Sequence, residues 1–355
     1  MAAAGRAHRA PDGAPRHLEE LEERLSRPRP ETVEALRAAP GDIIVLGAGG
    51  KMGPSLARMA RRAASEADGG DGGRRVIAVS RFTNTAAQDA LRGFGIETIS
   101  CDLLVRREVD ALPDAANVIF MAGQKFGTES TPSLTWAMNT LVPAYCAERY
   151  AGARIVAFST GNVYGLMPVD GPGARETDPP SPIGEYAASC LGRERMFEHS
   201  AVRDGTPVAL LRLNYAVDLR YGVLVDLARH VRDGIPIDLT MGYVNVIWQG
   251  DANRAALECL VHASTPPYVV NVTGPDHLSV RDAAERLGAL LGRAPLFVNH
   301  EADDALLSDT LRYVTDFAPA EVPTATLIEW VAAWTLAGNP LLDKPTKFQR
   351  RDGSF

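Results

Sequence analysis

The chain has 355 residues, 46 % of them hydrophobic, with 37 Lys plus Arg against 44 Asp plus Glu for a formal charge of −7. That size and apolar fraction supply one large α/β domain with a smaller appended unit, and a mildly acidic balance without a basic stripe argues against nucleic acid as a partner. No apolar run approaches the roughly 18 residues that span a bilayer, so no membrane association is expected.

The first segment is rich in Ala, Arg, Pro and Gly, and Pro11, Asp12 and Pro15 spoil a basic amphipathic helix. A disordered tail is expected there rather than a transit peptide. A charged helix follows over His17–Leu25, and Pro30 is placed to open a second helix over Glu31–Ala38, so residues 1–40 read as a tail and a helical addition. The four cysteines (Cys101, Cys146, Cys190 and Cys259) form no CxxC pair, which implies buried or bystander thiols and no metal site. With no apolar secretory core, this points to the cytoplasm.

From Asp42 the pattern changes to short apolar runs: Ile43–Leu46, Val76–Val79, Ile96–Ile99, Val118–Met121, Ile155–Phe158 and Val208–Leu213. Helical stretches such as Met52–Ala64 and Leu134–Tyr150 separate them, and the Gly/Asp-rich Glu66–Arg74 reads as a loop. Continuous β-branched runs alternating with helices predict a Rossmann-type doubly wound parallel sheet over residues 41–217. Strands thin out afterwards, and helices at Val223–Arg232, Asp251–Ala263 and Val280–Leu291 mark a smaller substrate lobe over 218–340, with Tyr268–Val272 returning to the sheet. Residues 341–355 form a basic tail that is either a frayed end or an arm docking on a neighbour or over the site.

The first strand runs into Gly47-Ala48-Gly49-Gly50-Lys51-Met52-Gly53 and then directly into a helix. A dinucleotide pyrophosphate must approach backbone N–H groups at such a helix start, which is why glycine is needed there. Gly47, Gly49, Gly50, Lys51, Met52 and Gly53 are therefore the candidate cradle. The second strand ends in Ser80-Arg81, without the acid that commonly binds a ribose 2′-hydroxyl. Arg81 either pairs with a 2′-phosphate, which tilts NAD(P) towards NADP, or is a solvated arginine. Asp102 either contacts the cofactor or caps a turn.

The GxxGxxG spacing resembles the extended and atypical short-chain dehydrogenases of the NAD-dependent epimerase/dehydratase kind. Asp102-Leu103 resembles that family's adenine-contacting pair, Met121-Ala122-Gly123 its cofactor-lining loop, and Asn139 the Asn of its next helix. Ser159-Thr160-Gly161-Asn162-Val163-Tyr164-Gly165 is similar to its SSxxVYG stretch, and Tyr186-Ala187-Ala188-Ser189-Cys190 to its YxxSK, with Glu194 also matching. The resemblance implies that Thr160 and Tyr186 hold the reacting oxygen and that Ala122, Gly123, Asn139 and Tyr186 face the cofactor.

Cys190 stands where the family has lysine. That lysine holds the nicotinamide ribose and lowers the tyrosine pKa, and a thiol with an unperturbed pKa near ~8.5 does neither. Three readings follow. Lys125 substitutes for it, in preference to Arg193, which lies roughly 10 Å along the helix from Tyr186; or Tyr186 works untuned; or the site is silent and the protein senses a dinucleotide. The resemblance implies an oxidoreductase or epimerase acting on a secondary alcohol or ketone of a sugar-like molecule, or a dehydratase that retains its cofactor. It also implies a homodimer through a bundle of Leu134–Tyr150 and Tyr186–Ser200. Gly242–Asp251 lacks the arginine expected beside a nucleotide-sugar phosphate, so a smaller polyol, sugar or sugar acid comes into play, with Tyr243, Asn245 and Trp248 as candidate lining residues.

Overall fold

The computed structural model describes residues 11–70, 73–83, 85–128 and 130–354. The first ten residues of the expected N-terminal tail, and residues 71 and 72 of the Gly/Asp-rich loop, lie outside the described residues. Seven strands form one parallel sheet: β1 (Ile43–Leu46), β2 (Val76–Ser80), β3 (Glu97–Ser100), β4 (Asn117–Phe120), β5 (Arg154–Thr160), β6 (Val208–Leu213) and β7 (Tyr268–Val272). Their order is β7-β6-β5-β4-β1-β2-β3. Strand order reverses at β1, between β2 and β4, and the crevice outside the carboxyl ends there is where such sheets bind ligands.

Alternation along the strands feeds two cores. Ile43 and Val45 of β1 pack on one face of the sheet with Ala78, Ile119 and Val156. Ile44 and Leu46 pack on the other with Ile77, Val79, Phe120 and Ile155. A third apolar cluster lies on the C-terminal side, where Leu224, Leu227, Trp248, Leu287 and Trp330 meet. Its helices are Val223–Asp233, Val280–Leu291 and Thr324–Leu336. The last of these reads poorly in sequence because it is apolar on nearly every face, with Leu327, Ile328, Trp330, Val331 and Trp334 all buried.

The expected Leu134–Tyr150 helix is three joined segments: an α-turn at Pro132–Trp136, a π-helical turn at Ala137–Leu141 and an α-helix at Val142–Arg149. The π turn carries Asn139, and such turns often occur at functional sites. The N-terminal addition is held to the main body by buried apolar side chains (Leu21, Leu25, Val33 and Leu36) and by charge. Glu23 of Leu18–Leu25 pairs with Arg58 at 3.1 Å and Arg62 at 2.8 Å, and Glu22 pairs with Arg220 at 2.5 Å. The C-terminal tail also docks on the chain itself. Thr346 donates its N–H and Oγ1 to Asp226 at 2.8 and 2.6 Å, Phe348 is buried, and Arg351 pairs with Asp304. Among the described residues no helix is long and apolar enough to cross a membrane.

Candidate active site

Two cavities meet where the carboxyl ends of β1, β4 and β5 converge. The first, of about 300 Å³, is lined by Gly47, Gly49 and Gly50, by Ser80 and Arg81, by Asp102 and Leu103, and by Ala122 and Gly123. These are most of the residues assigned to a dinucleotide from the sequence. A cofactor here is implied by the fold, and the backbone tests the fit. Gly47 turns with φ +94°, and a Cβ there would stand 2.6 Å from the Ala122 nitrogen. At Gly53 a Cβ would meet the Ala48 carbonyl oxygen at 2.3 Å, so the helix Gly53–Ala67 starts as close behind the loop as glycine allows. The cradle therefore has the bare, tightly turned backbone that a pyrophosphate needs. Arg81 is exposed on the cleft wall, and Phe82, Cys101 and Leu103 give its β2–β3 end an apolar lining. Asp102 lines the cleft, and it caps a turn by accepting from Leu104 N–H at 3.0 Å.

The second cavity, of about 150 Å³, brings together Thr160 from the end of β5 and Tyr186 from the first turn of the helix Gly184–Asp204. Lys125 arrives on the loop after β4, its Nζ 5.7 Å from the Tyr186 ring centroid. Lys51 and Met52 line this cavity and not the glycine cleft, because the chain turns through the loop as it enters the helix. Thr160 Oγ1 accepts from Asn162 N–H at 3.2 Å, which caps the short 3₁₀ turn Gly161–Val163 and fixes the hydroxyl at the cavity wall.

Behind this wall the packing is polar and closed. Asn139 accepts from Gln124 N–H at 3.0 Å and from Arg193 Nη2 at 2.6 Å. Its amide donates to Gln124 O at 3.0 Å and to Ser189 Oγ at 2.9 Å. Asn139 thus clamps the Gly123–Lys125 loop to the Tyr186 helix and reaches the cleft through that loop. Ser189 is fully buried and donates to the Tyr186 carbonyl at 2.9 Å, so it positions the helix instead of facing the cavity. Arg193 also donates to Phe158 O at 2.8 Å, and its guanidinium occupies the space a Cβ on Gly123 would need. Sequence distance placed Arg193 away from Tyr186, but the long side chain folds back along the helix, and its charge is felt at Tyr186.

The electrostatics of the site follow from burial. Tyr186 is held well above its ordinary range by burial and by Cys190, against the opposing pull of Arg193 and a hydrogen bond with Thr160. Burial lowers Lys125 to about 8, with Cys190 and Asp226 pulling upward and Lys347 pressing it further down. Burial also lowers Lys51 to about 7, aided by Lys125 and Arg220 and opposed by Asp218 and Asp226. Cys190 is fully buried in a small cluster with Val163, Tyr164 and Ala174.

Three candidate lining residues lie elsewhere. Trp248 is core, edge-on to Trp330 at 5.7 Å. Asn245 is fully buried and spent on the Gly274 and Asp276 carbonyls and the Ser308 N–H. Tyr243 packs half-buried against the third apolar cluster. Their places at the cavity are taken by Asn214, Tyr215 and Tyr221 and by Thr346 of the tail. No short-range pattern marks Tyr221 and Thr346, whereas Asn214 and Tyr215 directly follow β6, Tyr215 with a φ of +40°.

Residues 43–217 match the NAD dependent epimerase/dehydratase family. The fold is shared with solved structures of low sequence identity. A UDP-glucose 4-epimerase from Thermotoga maritima with UDP-glucose superposes with a TM-score of 0.69 at 17 % identity, over 84 % of this chain and 99 % of that one. A Thermus thermophilus UDP-glucose 4-epimerase in complex with NAD gives 0.64 at 21 %, over 82 % and 97 %. MoeE5 in complex with UDP-glucose and NAD gives 0.62 at 23 %, over 81 % and 98 %. No curated protein sequence matches the chain.

Proposed function

From the premise that this chain, through residues 43–217, belongs to the NAD dependent epimerase/dehydratase family, we propose that it is an NAD(P)-dependent oxidoreductase or epimerase acting on a secondary alcohol or ketone of a small sugar-like molecule. The observation that carries this reading is the convergence of Thr160, Tyr186 and Lys125 on one cavity that adjoins the glycine-lined cleft.

Gly47, Gly49, Gly50 and Gly53 would hold the dinucleotide's pyrophosphate, Ser80 and Arg81 the ribose beyond it, Asp102 and Leu103 the adenine, and Ala122, Gly123 and Asn139 the nicotinamide side. The exposed Arg81 and the missing acid after β2 support NADP. A bound nicotinamide supplies hydride exchange. Thr160 and Tyr186 bind the substrate oxygen, and Tyr186 Oη exchanges the proton with it. With its pKa raised, Tyr186 stays protonated at neutral pH, so it acts first as a hydrogen-bond donor to a carbonyl oxygen. Lys125 and Arg193 supply the positive potential that the lysine of YxxSK would otherwise supply, and Cys190 takes no part in proton transfer. Leu134, Trp136 and Leu141 expose apolar surface on the segment expected to form a homodimer bundle.

The test is hydride transfer from NADPH or NADH to a panel of small ketoses, and from aldonic or uronic acids to NADP⁺ or NAD⁺. Replacing Tyr186 by Phe should cut turnover by about 100-fold or more while leaving cofactor affinity within about threefold. Undiminished turnover in that variant refutes the role. A silent dinucleotide sensor is the second reading, supported by the sealed Cys190 and the high-lying Tyr186. It predicts cofactor binding with no exchange on any carbonyl of the panel.

A further inference from the structure

The last segment of the chain runs beside the second cavity and is anchored on both sides of it. Thr346 lines that cavity and donates twice to Asp226 of the helix Val223–Asp233, and Leu342 N–H donates to Arg220 O at 3.1 Å. These contacts hold one end to the C-terminal lobe. At the other end Arg351 pairs with Asp304 and donates to the Thr240 carbonyl at 3.1 Å. Gly353 then lies on Ile183 and Gly184, where the Tyr186 helix begins. A Cβ on Gly184 would stand 2.8 Å from the Gly353 oxygen, so the two backbones touch. Between the anchors Phe348 is buried in the apolar cluster of the lobe, and the segment is packed along its length.

This segment is also a partition. Beyond it lies another cavity, of about 200 Å³, lined by Asp226, Arg229 and His230 of the lobe helix and by Pro345 and Phe348 of the tail. Thr346 faces the first space while Pro345 and Phe348 face the second, so the wall between them is a single run of backbone. At about 150 Å³ the cavity of Thr160 and Tyr186 falls below the roughly 300 Å³ at which pockets for drug-sized ligands begin, and the two spaces joined would pass it. A single sugar ring or a short polyol suits the closed space. A sugar carrying a nucleoside diphosphate needs the room that the tail occupies.

We infer that residues 341–354 are the specificity element of this site: with Thr346 as its cavity-facing residue, the segment restricts the site to compact hydroxylated molecules and excludes nucleotide-linked ones. That a substrate reacts in this cavity rests on the proposed activity, whereas the closure rests on the anchors and the two cavities. Selection of this kind works by obstruction, so it needs no contact with the part of the ligand that is refused.

Lys51 reports on the closure without any substrate. Its Nζ lies in the cavity, 3.5 Å from the Tyr221 ring centroid, and burial lowers it to about 7, so at about pH 8 it is largely an uncharged amine open to acylation. The full-length protein and two released forms are acylated under single-hit conditions with acetic anhydride or with a sulfosuccinimidyl ester of biotin, and Lys51 is read by peptide mass spectrometry. One released form ends at Leu342. The other carries Arg351→Ala with Gly353→Val, which frees the far anchor and leaves Phe348 in place. Near-ultraviolet circular dichroism checks the fold of each, and the double variant decides where the shortened chain does not fold. Native Lys51 should take the acetyl group and resist the biotinyl group, and the biotinyl-to-acetyl ratio should rise by about tenfold or more in a folded released form. Equal labelling of native Lys51 by both reagents, a ratio that release leaves unchanged, or no acetyl label until the tail is released overturns the inference. Calorimetric binding of UDP-glucose to the native chain in saturating NADPH overturns it as well. If no member of the substrate panel exchanges hydride, the proposed activity fails and the labelling ratio still decides the closure. If hydride transfer is found and the ratio does not move, the activity stands and the tail has no part in selection.

Discussion

The helix that carries Tyr186 is tied to β6, the neighbour of the strand that ends in Thr160, by one buried ion pair, and removing half of it should be costly. Arg212 of β6 and Glu194 of the Gly184–Asp204 helix have side chains 4 % and 0 % exposed and meet at 2.7 Å. Glu194 accepts from Arg212 Nε at 2.9 Å and from Ser159 Oγ at 2.5 Å, while Arg212 Nη1 donates to Tyr164 Oη at 2.6 Å. Glu194→Gln keeps the shape and removes the charge, leaving a guanidinium in the interior without its counter-ion. Breaking a buried pair from one side costs about 3–5 kcal/mol. With a urea slope of about 3 kcal/mol/M, the unfolding midpoint should fall by about 1–1.7 M. Replacing both partners by Met also removes the need to desolvate them and should land within about 2 kcal/mol of the native protein, at least ~1 kcal/mol more stable than Glu194→Gln. The assay is urea unfolding followed by tryptophan fluorescence, with slopes compared across the three proteins. A Glu194→Gln midpoint within about 0.3 M of the native value would mean that the pair is not what holds the helix to the strand.

Gly53→Ala puts a Cβ 2.3 Å from the Ala48 carbonyl, so the helix must back away from the loop. Dinucleotide affinity by calorimetry should drop about tenfold or more, with a stability loss of about 1–3 kcal/mol; an unchanged affinity would remove the tight turn from the account of cofactor binding. Lys51 and Lys125, lowered to about 7 and about 8, are charged below those values and neutral above them. The positive potential at the cavity should therefore be full below about pH 6.5 and largely gone by about pH 9, and turnover should fall by about threefold or more over that range. Asp218, Asp226, Arg220, Lys347, Cys190 and Tyr221 face the same region, so Lys51→Met must remove part of that pH dependence if the assignment to Lys51 is right.

Much of the sheet was legible because each strand carries its own signal. Apart from the edge strand Glu97–Ser100, the runs from Ile43 to Leu213 are buried on both faces, so they appear as continuous apolar stretches, and all six begin or end within two residues of the strands observed. The helices Thr85–Gly93 and Leu311–Asp316 were not legible: each buries a single side chain, Leu91 and Tyr313, and offers no apolar stripe. The glycine-lined cleft is built from residues at the ends of successive strands, so local motifs find it. The second cavity includes Lys51, Asn214, Tyr221 and Thr346, which meet only through the tertiary fold. Tyr243, Asn245 and Trp248 went the other way, because sequence patterns do not distinguish an inward-facing side chain in a core from one at a pocket.

The replacement of lysine by Cys190 has a physical reading that a motif comparison lacks. If the position had simply decayed, an unoccupied gap or an exposed thiol would be expected at the cavity. Instead Cys190 is sealed against Val163, Tyr164 and Ala174, and Arg193 fills the interior next to Gly123 with both of its terminal nitrogens donating. A lysine at 190 would add a third cation beside Arg193 and Lys125 and repel both. The arrangement is internally consistent: a compact thiol at the motif position leaves room for cations that arrive from other directions. One comes along the same helix and one from the loop after β4, and the Asn139 clamp holds both elements to a common frame. On the proposed function, positive charge near Tyr186 is supplied from these two directions, and what the motif lysine would do is to be sought in the field around the tyrosine and not in the residue four places after it.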